Sequence, residues 1–415
     1  MDARKRAIGR FAIGRPLGYR LKAKGERQKA KGMKQEENIF FAILRSVMWG
    51  TTVEVPADTN WRGVLNIAAR QKCLHAFGIW LKTHRISTPH DHQLQQTIYM
   101  TLQRQSRLNH LATDVIARLA EHDIYATLIK GRSLSELYPD PDTRDFGDVD
   151  IYVGEEDYLH AASILTEAYP DAYWHSALHG GLHYILVLDE NQDRVVELHR
   201  VTMEFHDPIA NALYQNFTHK YLDATTTTID IYGQPVLVPP VAYNALYLFM
   251  HAWHHFASTG VGFRQLADWA LTLQRAHEQL SAEEWQQLCQ EIDHILTALR
   301  MKKAWQAFGY ILVQQLHLPT TAFPLYTASS QRVASRLLRQ LLRDGHAGRP
   351  AKCSIKEIAL MRRFPWQRPA KHRILQVGYT AYKLIFEALQ MSKLFPDLAW
   401  HEWTHSVRSA CRKKR

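Results

Sequence analysis

What most limits the fold of this chain is a change of hydrophobic period along it. Through residues 36–122 apolar side chains recur three and four apart, in EENIFFAILRSVMW, in WRGVLNIAARQKCLHAFGIWLKTHR and in a long stretch from His92 to His122. That spacing lines one face of an α-helix. Pro56 and Pro89 fall in the breaks. From Tyr125 the pattern turns β-rich, often with a period of two, in YATLIK, FGDVDIYV, HYILVLD, RVVELHRV, TTTIDIYG and PVLVP, as strands require. Two helices, RSLSELY and EEDYLHAASILTEAY, interrupt these strands, and Glu190-Asn191-Gln192-Asp193 reads as a turn. From Pro239 the helical period returns in VAYNALYLFMHAWHHF, RQLADWALTLQRAH, EEWQQLCQEIDHILTALRMKKAWQAFGYILVQQL and HRILQVGYTAYKLIFEALQM. Breaks near 319–324 and 345–350 divide that last region. The expected architecture is α+β: a core over 123–238, an N-terminal helical region over 36–122 and a C-terminal helical region over 239–415. At 415 residues the chain is too long for one ordinary hydrophobic core.

Charge separates the first 35 residues from the rest. They hold twelve Lys/Arg against two Asp/Glu, or +10 of the formal net charge of +11, leaving +1 for the other 380 residues. This Gly-containing segment lacks a sustained apolar face and is expected to be a disordered, passive tail. Met33 opens the first amphipathic segment, so residues 1–32 also read as a product of start-site choice. Any contact with nucleic acid is expected through this tail only, because the body is near neutral. The closing RKKR has the same passive reading.

The four cysteines (Cys73, Cys289, Cys353, Cys411) show no paired spacing. This disfavours a zinc motif or disulfide framework and suits a reducing, cytoplasmic setting. No apolar run reaches the length of a membrane span, so no membrane partner is expected.

The tripeptide Asp148-Val149-Asp150 carries the most chemistry. On a strand, positions i and i+2 share a face, so both carboxylates point one way and Val149 and Ile151 the other. Like charges on one face repel, and a divalent cation relieves the repulsion. Magnesium takes a few carboxylates together with phosphate oxygens. Taken alone, so short a motif is more readily an acidic strand face. Upstream, Lys130-Gly131-Arg132-Ser133 ends a strand and starts a helix. Glycine there lets the backbone approach a phosphate, and Lys130 supplies a point charge. Downstream, Glu197 alternates with apolar residues in VVELH. A third carboxylate can complete a two-metal set and act as base for an attacking hydroxyl, or it can be a solvent-facing strand residue.

The order strand–Gly–helix–strand(DxD)–strand(E) resembles the polymerase-beta-like nucleotidyltransferase superfamily. It is closest to an uncharacterised branch with Lys-Gly before the helix. Lys130, Gly131, Leu137, Tyr138, Arg144, Asp148 and Asp150 match that branch's pattern, and Glu197, His199, Arg264 and Asp268 correspond more loosely. Where the superfamily usually shows Gly-Ser or Gly-Gly, this chain has Gly131-Arg132, as the Lys-Gly branch does. The resemblance covers residues 60–275.

The resemblance implies transfer of a nucleoside monophosphate from an NTP to a hydroxyl acceptor of unidentified class: small molecule, sugar, RNA or protein. Asp148 and Asp150 would be both catalytic and metal ligands for Mg²⁺ (or Mn²⁺), with Glu197 as the third catalytic carboxylate. Lys130, Gly131, Arg132, Ser133 and Arg144 would bind the nucleotide, Arg144 by reaching a phosphate or tying down its loop. Arg264 and Asp268, four apart on a helix, read as a surface ion pair or as nucleotide contacts from the helical region. A catalytically silent nucleotide-binding or antitoxin-like module on the same fold is the alternative, and an RNA-binding protein using its tail is a third. His251, His254 and His255 crowd one helix without the Glu of HExxH. They are expected to line the cleft or pack on aromatics, and Trp253, Trp269, Trp285 and Trp305 to lie in the core.

Overall fold

A computed structural model describes residues 30–176, 183–189, 194–225, 227–346, 392, 394–399, 401 and 404. Residues 1–29 of the basic segment, the turn expected at 190–193, the helix expected at 372–391 and the terminal RKKR lie outside the described residues.

Helix α1 (Ala30–Trp49) opens the described chain, followed by α2 (Trp61–Arg70), α3 (Leu74–Thr83) and α4 (Asp91–Ala120). The single helix expected over 61–85 is two. Lys72, with φ +58°, turns the chain between them, and Asn60 caps α2 by accepting from Gly63 N. Strand β1 (Thr127–Leu128) runs into a 3₁₀ turn at Gly131–Leu137, in place of the α-helix expected there. Gly131 has φ +66°, and both the amide and the hydroxyl of Ser133 bond the Lys130 carbonyl. These i,i+3 bonds tighten the segment.

Strand β2 (Val149–Tyr152), helix α5 (Gly154–Ala168) and strands β3 (Tyr173–Ser176), β4 (His183–Val187) and β5 (Val195–His199) follow. Helix α6 (Pro208–Thr218) sits inside the β-rich zone, where the period-two reading did not expect it. Its Asp207 carboxylate accepts from the amides of Ile209 and Ala210, and Pro208 occupies its first position. Strands β6 (Thr228–Ile231) and β7 (Gln234–Leu237) complete the sheet. Helices α7 (Val241–Ser258), α8 (Phe263–Gln279), α9 (Ala282–Ala298), α10 (Lys302–Leu316) and α11 (Gln331–Asp344) close the described part. The long segment over 283–316 is again two helices, turned at Arg300 with φ +55°.

The seven strands form one mixed sheet in the order β3-β4-β5-β2-β1-β7-β6. Strand β2 is parallel to β5 and β1 parallel to β7, while the remaining pairs are antiparallel. Alternation along β2 and β5 sorts side chains onto two faces. Val149, Ile151, Val196 and Leu198 enter a core with Leu108, Val115, Tyr158 and Leu165 of α4 and α5. Tyr152, on the opposite face, belongs to a second core built jointly by α1–α3 and α6–α11. The two helical regions, remote in sequence, therefore share one interior. Trp269, Trp305 and Phe249 are fully buried in it, and Trp253 is nearly so.

Gly309 of α10 is where this interior is tightest. A methyl group there would come within 2.1 Å of the Phe323 ring. That ring cannot give way, because it packs on Trp269 and Trp305 at centroid distances of 5.6 and 5.3 Å. Gly309→Ala should therefore destabilise the protein by about 1–3 kcal/mol in urea titration, against the usual helix preference for alanine.

Candidate active site

The site begins with the pairing of β2 and β5. In their parallel register Asp150 stands opposite Glu197 and Tyr152 opposite His199, so Asp150, Glu197 and His199 share the face away from Val149 and Ile151, and Asp148 lies in the bend just before β2. Asp150 is 1% exposed. Its Oδ1 receives the Lys130 ammonium at 2.7 Å and His199 Nε2 at 3.1 Å. Lys130 reaches this point because β1 lies beside β2, with Ile129 N donating to the Asp150 carbonyl at 3.0 Å. The turn at Gly131 lies against the same strand: a Cβ there would sit 3.5 Å from the Asp148 carbonyl. Arg132 pairs with Glu136 on the turn's own surface.

The electrostatics are those of carboxylates crowded against few cations. Burial, and next the like charge of Asp150, raise the Asp148 carboxyl above its usual range. Burial opposes ionisation of Glu197 too, but its hydrogen bond with His199 and the charge of Lys130 prevail and hold it at about 2. Burial opposes protonation of His199, which its bonds to Asp150 and Glu197 outweigh, raising it. His183, on β4 beside His199, is pushed down to about 4 by burial and by that neighbour. Burial likewise disfavours the Lys130 ammonium, and Asp150 more than compensates.

The loop before β2 is held from several helices. Asp268 of α8 takes Arg144 in a bidentate pair, Nε to Oδ1 at 3.1 Å and the second contact to Oδ2 at 2.7 Å, with Tyr138 Oη donating to Oδ1 at 2.8 Å. Arg264 donates to the Asp145 carbonyl at 2.7 Å and to its carboxylate at 3.1 Å. Burial opposes ionisation of Asp145, yet Arg264 and Arg144 depress its carboxyl. From α4, Arg104 donates to the Gly147 carbonyl and Gln105 to that of Arg144. Arg264 and Asp268 thus pair with the loop and not with each other, and the Arg144 guanidinium is engaged by Asp268.

His251 and His255 of α7 face one another, Nε2 to Nε2 at 3.1 Å. His251 also lies by the Tyr247 ring and His255 by His346. Burial and the charge of Lys130 push His251 well below the usual imidazole range, and the same causes bring His255 to about 3.

Sequence reasoning gave His199 no separate chemistry and passed over His183. The i,i+2 rule that joins Asp148 to Asp150 also joins Glu197 to His199 and could have flagged it. His183 enters only through the β4–β5 register, which no local pattern encodes.

The described residues fit a divalent cation. Asp148 in the bend before β2, Asp150 on β2 and Glu197 on β5 offer oxygen ligands of the kind magnesium takes, and the like charge of Asp150, which adds to burial in raising the Asp148 carboxyl, is one that a cation relieves.

A seven-stranded mixed sheet among helices, with carboxylates on one of its faces, makes this an α+β protein. A model of a family described as uncharacterised nucleotidyltransferase matches residues 57–301, more than half of the chain, and the chain belongs to that family. It is also similar to a solved structure, that of an antigenic nucleotidyltransferase-like protein from Paracoccidioides brasiliensis. Identity is 15% and the TM-score 0.32, over 55% of this chain and 95% of that one. No curated protein matches the chain. Among the described residues no helix is long and apolar enough to cross a membrane.

Two predictions follow from these contacts. Asp268→Asn leaves the Arg144 charge buried without its partner and should cost about 3–5 kcal/mol in chemical denaturation, part of it restored when Arg144→Met and Asp268→Leu are combined. His251 and His255 stay neutral in the fold but charge in the unfolded chain below its ordinary imidazole value of about 6.5. The unfolded state then binds more protons, so stability is full above that value and falls as pH drops towards about 3. Melting curves of the His251→Gln/His255→Gln double variant should lose that share of the acid sensitivity.

Proposed function

We propose that the chain transfers a nucleoside monophosphate from an NTP to a hydroxyl acceptor, with magnesium at Asp148 and Asp150 and with Glu197 as the third catalytic carboxylate. The observation that supports this reading is the register of β2 with β5, which sets Glu197 directly opposite Asp150, two residues from Asp148. Bound magnesium would supply charge neutralisation to the phosphate oxygens and to the developing pyrophosphate. The chain's own residues orient and hold. Lys130 and the Gly131–Ser133 turn face the triphosphate, Lys130 exchanging its bond with Asp150 for one with phosphate. Arg144, Asp268, Arg264 and Asp145 keep the loop before β2 in place. The acceptor oxygen bonds to the α-phosphorus as the α–β phosphoanhydride bond breaks, pyrophosphate carries off the bonding pair, and the hydroxyl proton passes to the carboxylate set. Positioning and preorganised charge supply most of the rate.

A second reading, a catalytically silent nucleotide-binding module, draws on one specific contact. Lys130 and His199 already partner Asp150 without any metal, so the carboxylate is compensated by the chain itself.

Incubation of the protein with each labelled NTP and Mg²⁺ should put label on protein, RNA or a small-molecule pool, and the silent module leaves all three unlabelled. Asp148→Asn and Asp150→Asn should each abolish labelling while circular dichroism shows the fold intact; full activity in both would overturn the assignment. Glu197→Gln should lower turnover by about 10²–10⁴-fold with NTP affinity changed much less.

A further inference from the structure

The face of the sheet that carries the carboxylates has a nitrogen-rich side. His183 on β4 stands directly opposite His199 on β5 in the antiparallel register, with the ring centroids 4.8 Å apart. Glu197, two residues before His199, projects from the same face between them. His199 Nε2 lies 3.5 Å from Glu197 Oε2, and His183 Nε2 lies 3.9 Å from that same oxygen. One ligand atom from each of the three falls within 4.8 Å of the others.

We propose that His183, Glu197 and His199 form a transition-metal site, of the zinc class, beside the carboxylate pair. Donor chemistry separates it from the magnesium set: two imidazoles and one carboxylate favour zinc and its neighbours, whereas magnesium takes oxygen. The spacing is close to what binding needs, because ligands at about 2.0–2.1 Å from a tetrahedral zinc ion stand roughly 3.3 Å apart. His183 and Glu197 side chains are each 22% exposed while His199 is 5% exposed. The outer two ligands can therefore adjust by rotamer, and a side remains open for a water or substrate atom. His199 is held at its inner end. Its Nε2 also bonds Asp150 Oδ1 at 3.1 Å, a bond that coordination through Nε2 would replace. Two of the three ligands are two residues apart on one strand and the third is their cross-strand neighbour, so backbone hydrogen bonding sets the site in advance.

Glu197 belongs to both sets, but zinc binding requires no NTP and is measured without one. The full chain, stripped with EDTA and dialysed, is titrated with ZnCl₂ by calorimetry and with Co²⁺ by visible absorption. About one zinc ion per chain is expected, retained against millimolar magnesium, and Co²⁺ should give the absorption bands of an imidazole-ligated ion. His183→Asn, a partly exposed change on β4, should keep the circular dichroism of the parent and lose zinc binding. Asp148→Asn should retain it. Three results overturn the site: no zinc on the parent protein, zinc retained by His183→Asn, or zinc lost equally in Asp148→Asn, which would place it on the carboxylate pair. Nucleotide labelling of the same preparations separates this inference from the transfer reading. Zinc bound without labelling leaves the site standing and the transfer reading fallen, and labelling without zinc does the reverse.

Discussion

The buried charge of Asp150 organises the site around it. A carboxylate 1% exposed is tolerated only when cations and hydrogen-bond donors replace its lost water. Lys130 and His199 do this on a single oxygen, and each needs its own strand placed beside β2. The order β5-β2-β1 at the centre of the sheet is therefore also the order in which Asp150's partners must stand. If either neighbouring strand slipped by one residue, its charged and apolar side chains would exchange faces. The Asp150 carboxylate would then lose its partner there, and that strand would lose its share of the core beneath α4 and α5.

Around this centre the loop before β2 is gripped by helices from both flanking regions. Arg104 and Gln105 come from α4, Arg264 and Asp268 from α8. The Arg144–Asp268 pair is bidentate and almost wholly buried, a geometry that guanidinium satisfies and an ammonium would not. Because α1–α3 and α7–α11 share one apolar interior, the helices that hold the loop are themselves held. The same arrangement keeps the site's outer edge, with His183 and Glu197, less buried than its inner end at Asp150 and His199.

Much of this was legible along the chain. The change from a period of three to four to a period of two located the sheet, and the alternation along VDIY and VVELH set Asp150 and Glu197 on the face away from the apolar residues, because side-chain direction in a strand depends only on parity. The Lys130-Gly131 step likewise marked the turn beside β2. Boundaries were less legible where backbone conformation overrode hydrophobic pattern. The breaks at Lys72 and Arg300 fall inside unbroken helical periodicity, and both residues adopt a left-handed conformation that no glycine signals. Helix α6 was hidden because its Asp207-Pro208 start is a capping signal, not a periodic one.

Pairing across distance is what the sequence left open. Local spacing offers Arg264 and Asp268 as mutual partners on one helix, but the fold turns each to a different residue of the loop before β2, since buried charges go to whichever opposite charge packing brings near. His183 and His199 are 16 positions apart with nothing between them to predict their meeting; the antiparallel register of β4 and β5 decides it. The sequence by itself determined most of the helices and strands and the family to which the chain belongs, because these depend on local period and motif. The tertiary structure alone decided which charges compensate one another and that the flanking helices share one core, because those depend on which surfaces exclude water together.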